Sequence, residues 1–124
     1  HERLEIVKLH KGVTSIGIAA FYGCENLRDI NLHDSSVEVI DDFAFYKCTS
    51  LKVVKLPPSV KMINREAFAF CESLIIVNLS ACPLLEVIGI YAFYDCGSLL
   101  AVYFPKSLQR IDWNAFANCH SLIS

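Results

Sequence analysis

Five times along its 124 residues the chain repeats one pattern, and a repeat of this kind leaves few folds open. Written from its leading Ile, it reads IGIAAFYGCENL from Ile16, IDDFAFYKCTSL from Ile40, INREAFAFCESL from Ile63, IGIYAFYDCGSL from Ile88 and IDWNAFANCHSL from Ile111. All fit I-x3-A-F-x2-C-x2-L, and successive leading Ile residues stand 24, 23, 25 and 23 positions apart. The units that continue add Ile30 and Leu32, Val54 and Leu56, Val77 and Leu79, or Val102 and Phe104, and then Val37, Val60, Leu85 or Leu108. Leu4, Val7, Leu9 and Val13 form the tail of a unit whose head is absent. Every column is apolar throughout, so each unit solves the same packing problem.

Each unit divides into two halves. Leu-x-x-[Val/Ile]-x-[Leu/Phe] ends in the period-two alternation of a short strand. Turn chemistry follows at Lys11-Gly12, His33-Asp34-Ser35-Ser36, Pro57-Pro58-Ser59 and Pro105-Lys106-Ser107, where Pro withdraws a ladder donor and Gly or Asp tolerates tight geometry. In the other half Ile, Ala and Cys fall at i, i+4 and i+8, which predicts a short helix or 3-10 segment with one apolar face. A unit this small cannot bury enough surface to offset the entropy of ordering it. Stacked units can, with strands about 4.8 Å apart in a parallel ladder and each Phe over the next. The expected fold is a right-handed α/β solenoid with strands on the concave face and helical segments opposite.

Composition narrows the function classes. With 54% apolar and 19% charged residues the chain is not disordered. Its longest apolar stretch, Leu99 to Phe104, is far shorter than the ~20 residues a membrane helix needs. A net charge of −2 with no basic cluster argues against a nucleic-acid partner. No signal peptide opens the sequence at His1, so targeting does not fix the compartment.

From Leu4 to Leu122 the repeat resembles the BspA-like class of leucine-rich repeats, whose units carry the order I-x3-A-F-x2-C-x2-L-x2-I-x-L-P. Departures are small: Pro follows the strand only at Pro57 and Pro105, and the 25-residue unit carries Ser80-Ala81-Cys82-Pro83-Leu84 instead of a short Pro turn. The resemblance implies a curved solenoid used for binding, often displayed on or secreted from cells, and no catalytic residue.

Chemistry is sparse. Cys24, Cys48, Cys71, Cys96 and Cys119 share one column, where parallel Cβ vectors suit buried thiols better than disulfides. No metal-ligand spacing occurs, and no cofactor is expected. Cys82, in the longer turn, is either exposed and reactive or partly buried, the second being preferred. His10 and His33, with Asp29 or Asp34, form a loose constellation better read as a solvated rim. Asp41, Asp42 and Asp112 stand where carboxylates cap backbone N–H groups at the entry to the helical segment. Cys119 and His120 are adjacent only in sequence, which does not set a thiolate against a base. The chain is therefore read as a non-enzymatic binding or scaffold module with a protein partner.

Two faces are candidates. Strand residues outside the columns turn from charged to apolar along the chain, giving a groove centred on Val53, Ile75, Ile76, Leu100 and Tyr103 and flanked by Arg28, Lys52 and Lys55; the alternative is that a neighbouring segment covers some of them. On the opposite, convex side Tyr22, Tyr46, Tyr94 and Trp113 head a group of aromatics that either pack between units or dock the chain into a larger assembly as an accessory subunit. Residues 1–124 are taken as a single solenoid of about five repeats. Neither end carries a polar capping unit, so the array is expected to continue or to stack end to end.

Overall fold

A computed structural model of the chain describes residues 6–9 and 12–123. Ten short strands follow one another: β1 Ile6–Lys8, β2 Ser15–Ile16, β3 Asp29–Asn31, β4 Val39–Ile40, β5 Val53–Lys55, β6 Met62–Ile63, β7 Ile76–Asn78, β8 Val87–Ile88, β9 Ala101–Tyr103 and β10 Arg110–Ile111. Odd strands form the expected front ladder and even strands a second one at the leading Ile. All pairs are parallel: Val7 lies beside Ile30 and Ile30 beside Val54, while Ile16, Ile40, Ile63, Ile88 and Ile111 follow in register. The second ladder was hidden in the sequence because two residues leave no period to detect.

The solenoid, its parallel front strands and its stacked columns agree with the expectation; the helical half does not. Among the described residues no helix forms. Between Asp41 and Cys48 the backbone alternates its partners instead. The N–H groups of Phe43, Phe45 and Lys47 donate to Arg65, Ala67 and Ala69 of the next coil at 2.7–2.9 Å, whereas those of Ala44, Tyr46 and Cys48 donate three residues back at 3.1–3.3 Å. Two residues per coil take positive φ, for example Phe43 at 60° and Lys47 at 60°, which closes turns and is incompatible with a right-handed helix. The physical reason is spacing. Packed helices stand about 8–10 Å apart, but strands stack at about 4.8 Å, and only a turn that exports every second N–H keeps the back of the coil at the spacing of the front.

The Phe column shows that spacing directly. Phe21, Phe45, Phe68, Phe93 and Phe116 stack in sequence, with centroids 5.1–5.2 Å apart and planes within 11°. Around this spine the columns Ile40, Ala44, Cys48, Leu51 and their counterparts in the next two coils are buried. Hydroxyls join the coils at the edges: Ser59 donates to the Val37 carbonyl and Ser107 to that of Leu85, at 2.7 and 2.8 Å. In the last coil the columns open, and Ile111 is 46% exposed where Ile88 is fully buried.

Candidate functional site

The strand pleat sends Ile30, Val77 and Val102 inward, so the residues between them must face out. Val53, Ile75, Ile76, Leu100 and Tyr103 are all exposed, Ile76 by 50% and Tyr103 by 53%. No neighbouring segment covers this face among the described residues. Ile75 accepts a hydrogen bond from the Leu100 N–H at 2.7 Å, and Asn78 is in register with Tyr103, so the apolar group is continuous across β7 and β9.

The front ladder is interrupted. Order runs β1-β3-β5 and then, separately, β7-β9. Leu32 and Leu79 close their strand pairs by donating to Lys55 and Tyr103 at 2.8 and 2.7 Å; Leu56, followed by Pro57-Pro58, makes no such bond to β7 among the described residues. A cleft of about 650 Å³ opens at this break, with Lys52, Val53, Lys55, Ile75, Ile76 and Asn78 along its walls. Arg28 lies beside it in a smaller hollow shared with Asp29, Lys52 and Val53. There Asp29 keeps one carboxylate oxygen buried without a hydrogen bond. The structure thus brings Lys52, Lys55 and Val53 against Ile75 and Ile76, with Arg28 on one flank and Leu100 and Tyr103 on the other. Sequence reading missed the break itself.

On the opposite side the aromatics are partly used in packing. Tyr22 stacks on Tyr46 at 4.8 Å, and Phe70 meets both Tyr46 and Tyr94 edge to face at 5.4 Å. Tyr46 and Tyr94 are half-buried in this ladder, while Tyr22 remains exposed and Trp113 is 70% exposed.

The cysteine column is made of free thiols. Four of the five donate to the Phe carbonyl of the preceding coil: Cys48 to Phe21, Cys71 to Phe45, Cys96 to Phe68 and Cys119 to Phe93, at 3.1–3.3 Å. Cys82 is buried as well, its sulfur 3.5 Å from the Pro57 carbonyl oxygen, so the exposed alternative does not hold. Burial pushes its thiol up, which disfavours the reactive thiolate.

The remaining polar candidates have structural partners. His33 touches Asp34 at 3.2 Å on the exposed rim, and no group of three metal-ligating side chains gathers among the described residues; His10 lies outside them, as do Leu4, Glu5 and Lys11. Asp41 and Asp42 do satisfy N–H donors as expected, though at no helix: Asp41 accepts from the Asp42 N–H at 2.8 Å within its own coil, and across coils Asp42 accepts from the Arg65 N–H and Asp41 from the Asn64 amide, both at 3.2 Å. Asp112 pairs with Arg110 at 2.7 Å. Among the described residues no helix is long and apolar enough to cross a membrane.

Residues 1–123 match the BspA type leucine-rich repeat region in six copies. A leucine-rich repeat protein from T. pallidum is 32% identical, with a TM-score of 0.87 over 97% of this chain and 57% of that one. One from Bacteroides ovatus is 33% identical, with a TM-score of 0.74 over 94% of this chain and 35% of that one. A leucine rich cell surface protein from Faecalibacterium prausnitzii, 24% identical, shares the fold with a TM-score of 0.86 over 98% of this chain and 32% of that one. The chain therefore spans roughly a third to just over half the length of these proteins. No curated protein matches.

Proposed function

Since the chain belongs to the BspA-type leucine-rich repeat family, we propose that it is a non-enzymatic protein-binding module that reads its partner with the front of the solenoid. The observation that carries this reading is the cleft at the β5/β7 break. It concentrates Val53, Ile75 and Ile76 in one concavity, and Leu100 and Tyr103 extend the apolar surface beyond it. An aromatic among aliphatics suits an interface anchor, and flanking cations favour a partner with an acidic rim. Lys52, Lys55 and Arg28 supply those cations. A role in surface recognition or adhesion follows from the family alone.

Panning a random peptide display library against the folded protein tests the face. Binders should be lost to an Ile76→Asp, Tyr103→Asp double variant with unchanged circular dichroism and retained by Trp113→Ser. Binders that survive the double variant and fail with Trp113→Ser would overturn the front-face reading. They would favour the second one, docking of an accessory subunit through Tyr22, Tyr46, Tyr94 and Trp113, for which the exposure of Trp113 speaks.

A further inference from the structure

A second cavity, far smaller, interrupts the aromatic side. Three coils place Tyr22, Tyr46 and Tyr94 six residues after the leading Ile, and where two such rings are adjacent they fill the space by stacking at 4.8 Å. The coil between Tyr46 and Tyr94 has Ala69 at that position, and it is buried. Phe70, from the next position, swings into part of the vacated space and leaves a hollow of about 270 Å³ walled by Tyr46, Glu66, Phe70, Tyr91 and Tyr94.

Neighbouring walls meet edge to face. Phe70 meets Tyr46 at 73° and Tyr94 at 87°, and Tyr91 meets Tyr94 at 77°, with centroids 5.0–5.4 Å apart. Four aromatic rings, whose faces are electron-rich, thus border one small volume. Glu66 adds a full negative charge. Its side chain is only 18% exposed, and its one ion-pair contact is a loose 3.8 Å to Arg65, which is 57% exposed and screened by water. The negative field reaches the rings: the Tyr46 phenol is pushed up by desolvation first, then by Tyr22 and Glu66. These rings already attract a cation, since Lys47 Nζ lies 5.7 Å from the Tyr46 centroid and 5.8 Å from that of Phe70 without lining the hollow.

We propose that this box binds a methylated ammonium group, with Tyr46, Phe70, Tyr91 and Tyr94 supplying cation–π contacts and Glu66 the counter-charge. The chemistry selects methylation. A primary ammonium is strongly hydrated and needs several acceptors, whereas here the Tyr91 and Tyr94 hydroxyls already accept from the Asn114 and Asn118 amides at 3.4 and 3.2 Å, leaving Glu66 and the Tyr46 hydroxyl; a quaternary ammonium is weakly hydrated and needs only faces and charge. Choline and trimethyllysine both present this group. The inference does not rest on the front-face reading.

Calorimetric titration of the folded protein with choline and with 3,3-dimethylbutan-1-ol, its neutral carbon isostere, separates charge from shape. Choline should bind at least about tenfold more tightly than the isostere. Tyr94→Leu and Glu66→Gln should each remove most of that preference, and Tyr94→Phe should keep it. Free trimethyllysine in a parallel titration identifies the source: discrimination against the isostere by either cation supports the proposal, and the tighter of the two names the ligand. Equal affinity for choline and the isostere would mean an apolar hollow only. That result, or no binding of either cation by wild-type protein with unchanged circular dichroism, overturns the proposal.

Discussion

The thiol of Cys71 donates to the carbonyl oxygen of Phe45, one coil earlier, at 3.3 Å. Sulfur here adds a second donor to a carbonyl that already accepts from the Cys48 N–H at 3.3 Å, and it does so across the coil boundary. A cysteine suits this position because it is small and apolar yet retains a weak donor. Alanine would fill the column and remove this second bond, leaving the carbonyl to the Cys48 N–H alone, while serine would keep it at greater desolvation cost.

Burial, reinforced by the neighbouring thiols, holds these protons. Cys48 is pushed from 9.0 up to about 12, and Cys71 well above its ordinary value. The native column should therefore be inert to Ellman's reagent at pH 8, with Cys119, half-buried in the last coil, the first to react. Rapid reaction of several thiols in the folded protein would contradict the assignment.

The same groups set a pH dependence. Their folded values are raised, so the native state keeps protons that the unfolded chain loses above about pH 9. The contribution is complete below that pH and is lost as pH rises toward about 12, the folded value for Cys48. Urea midpoints measured between pH 7 and 10.5 should stay level to about 8 and then fall, and a Cys48→Ala chain should fall less steeply. Identical slopes for the two chains would rule this out.

Phe68 stacks between Phe45 and Phe93 with no exposed surface. Phe68→Ala should cost about 3–5 kcal/mol, the usual range for emptying an aromatic site in a packed core. Phe116→Ala, at the half-buried end of the same stack, should cost less. Comparing their denaturation midpoints measures how the spine couples adjacent coils, and equal losses would show that stacking position is irrelevant.

Glycines separate two causes of constraint. A Cβ on Gly89 would meet the backbone of Asn64 and Arg65 at 3.0–3.1 Å, forcing adjacent coils apart, whereas one on Gly97 meets nothing within 4 Å. Gly89→Ala should destabilise by about 1–3 kcal/mol, as overpacking does, and Gly97→Ala should be close to neutral by thermal melting.

Backbone handedness gives an independent pair. Ala19, exposed, takes φ 56° and Gly23 takes φ 70° with open space around it. Ala19→Gly should stabilise and Gly23→Ala destabilise, each by about 1 kcal/mol, because a left-handed residue with a Cβ carries a penalty of that order. Matching signs for the two changes in chemical denaturation would exclude positive φ as the cause.

The repeat by itself determined the solenoid, its parallel front strands, the stacking of Phe45 on Phe68 and the free thiol column. Such features follow from which positions are apolar in every unit, and burial of those positions has one economical arrangement. Exposure of Ile76 and Tyr103 was equally legible, since alternation along a strand fixes which side chains point outward; Ile75 and Leu100, which share the parity of buried Val77 and Val102, are exposed because they precede their strands. What the sequence could not convey was anything decided between coils. The spacing of Ile40, Ala44 and Cys48 fits a helical face, yet the close approach of neighbouring coils demands turns, and only Gly23 and a few Asn or Asp residues hint at their left-handed positions. The partners of the thiols, the break between β5 and β7, and the hollow beside Ala69 all arise from residues 22–28 positions apart meeting across a coil boundary. A linear pattern specifies what each coil buries; where two coils fail to match is a property of their contact, and both candidate sites lie at such mismatches.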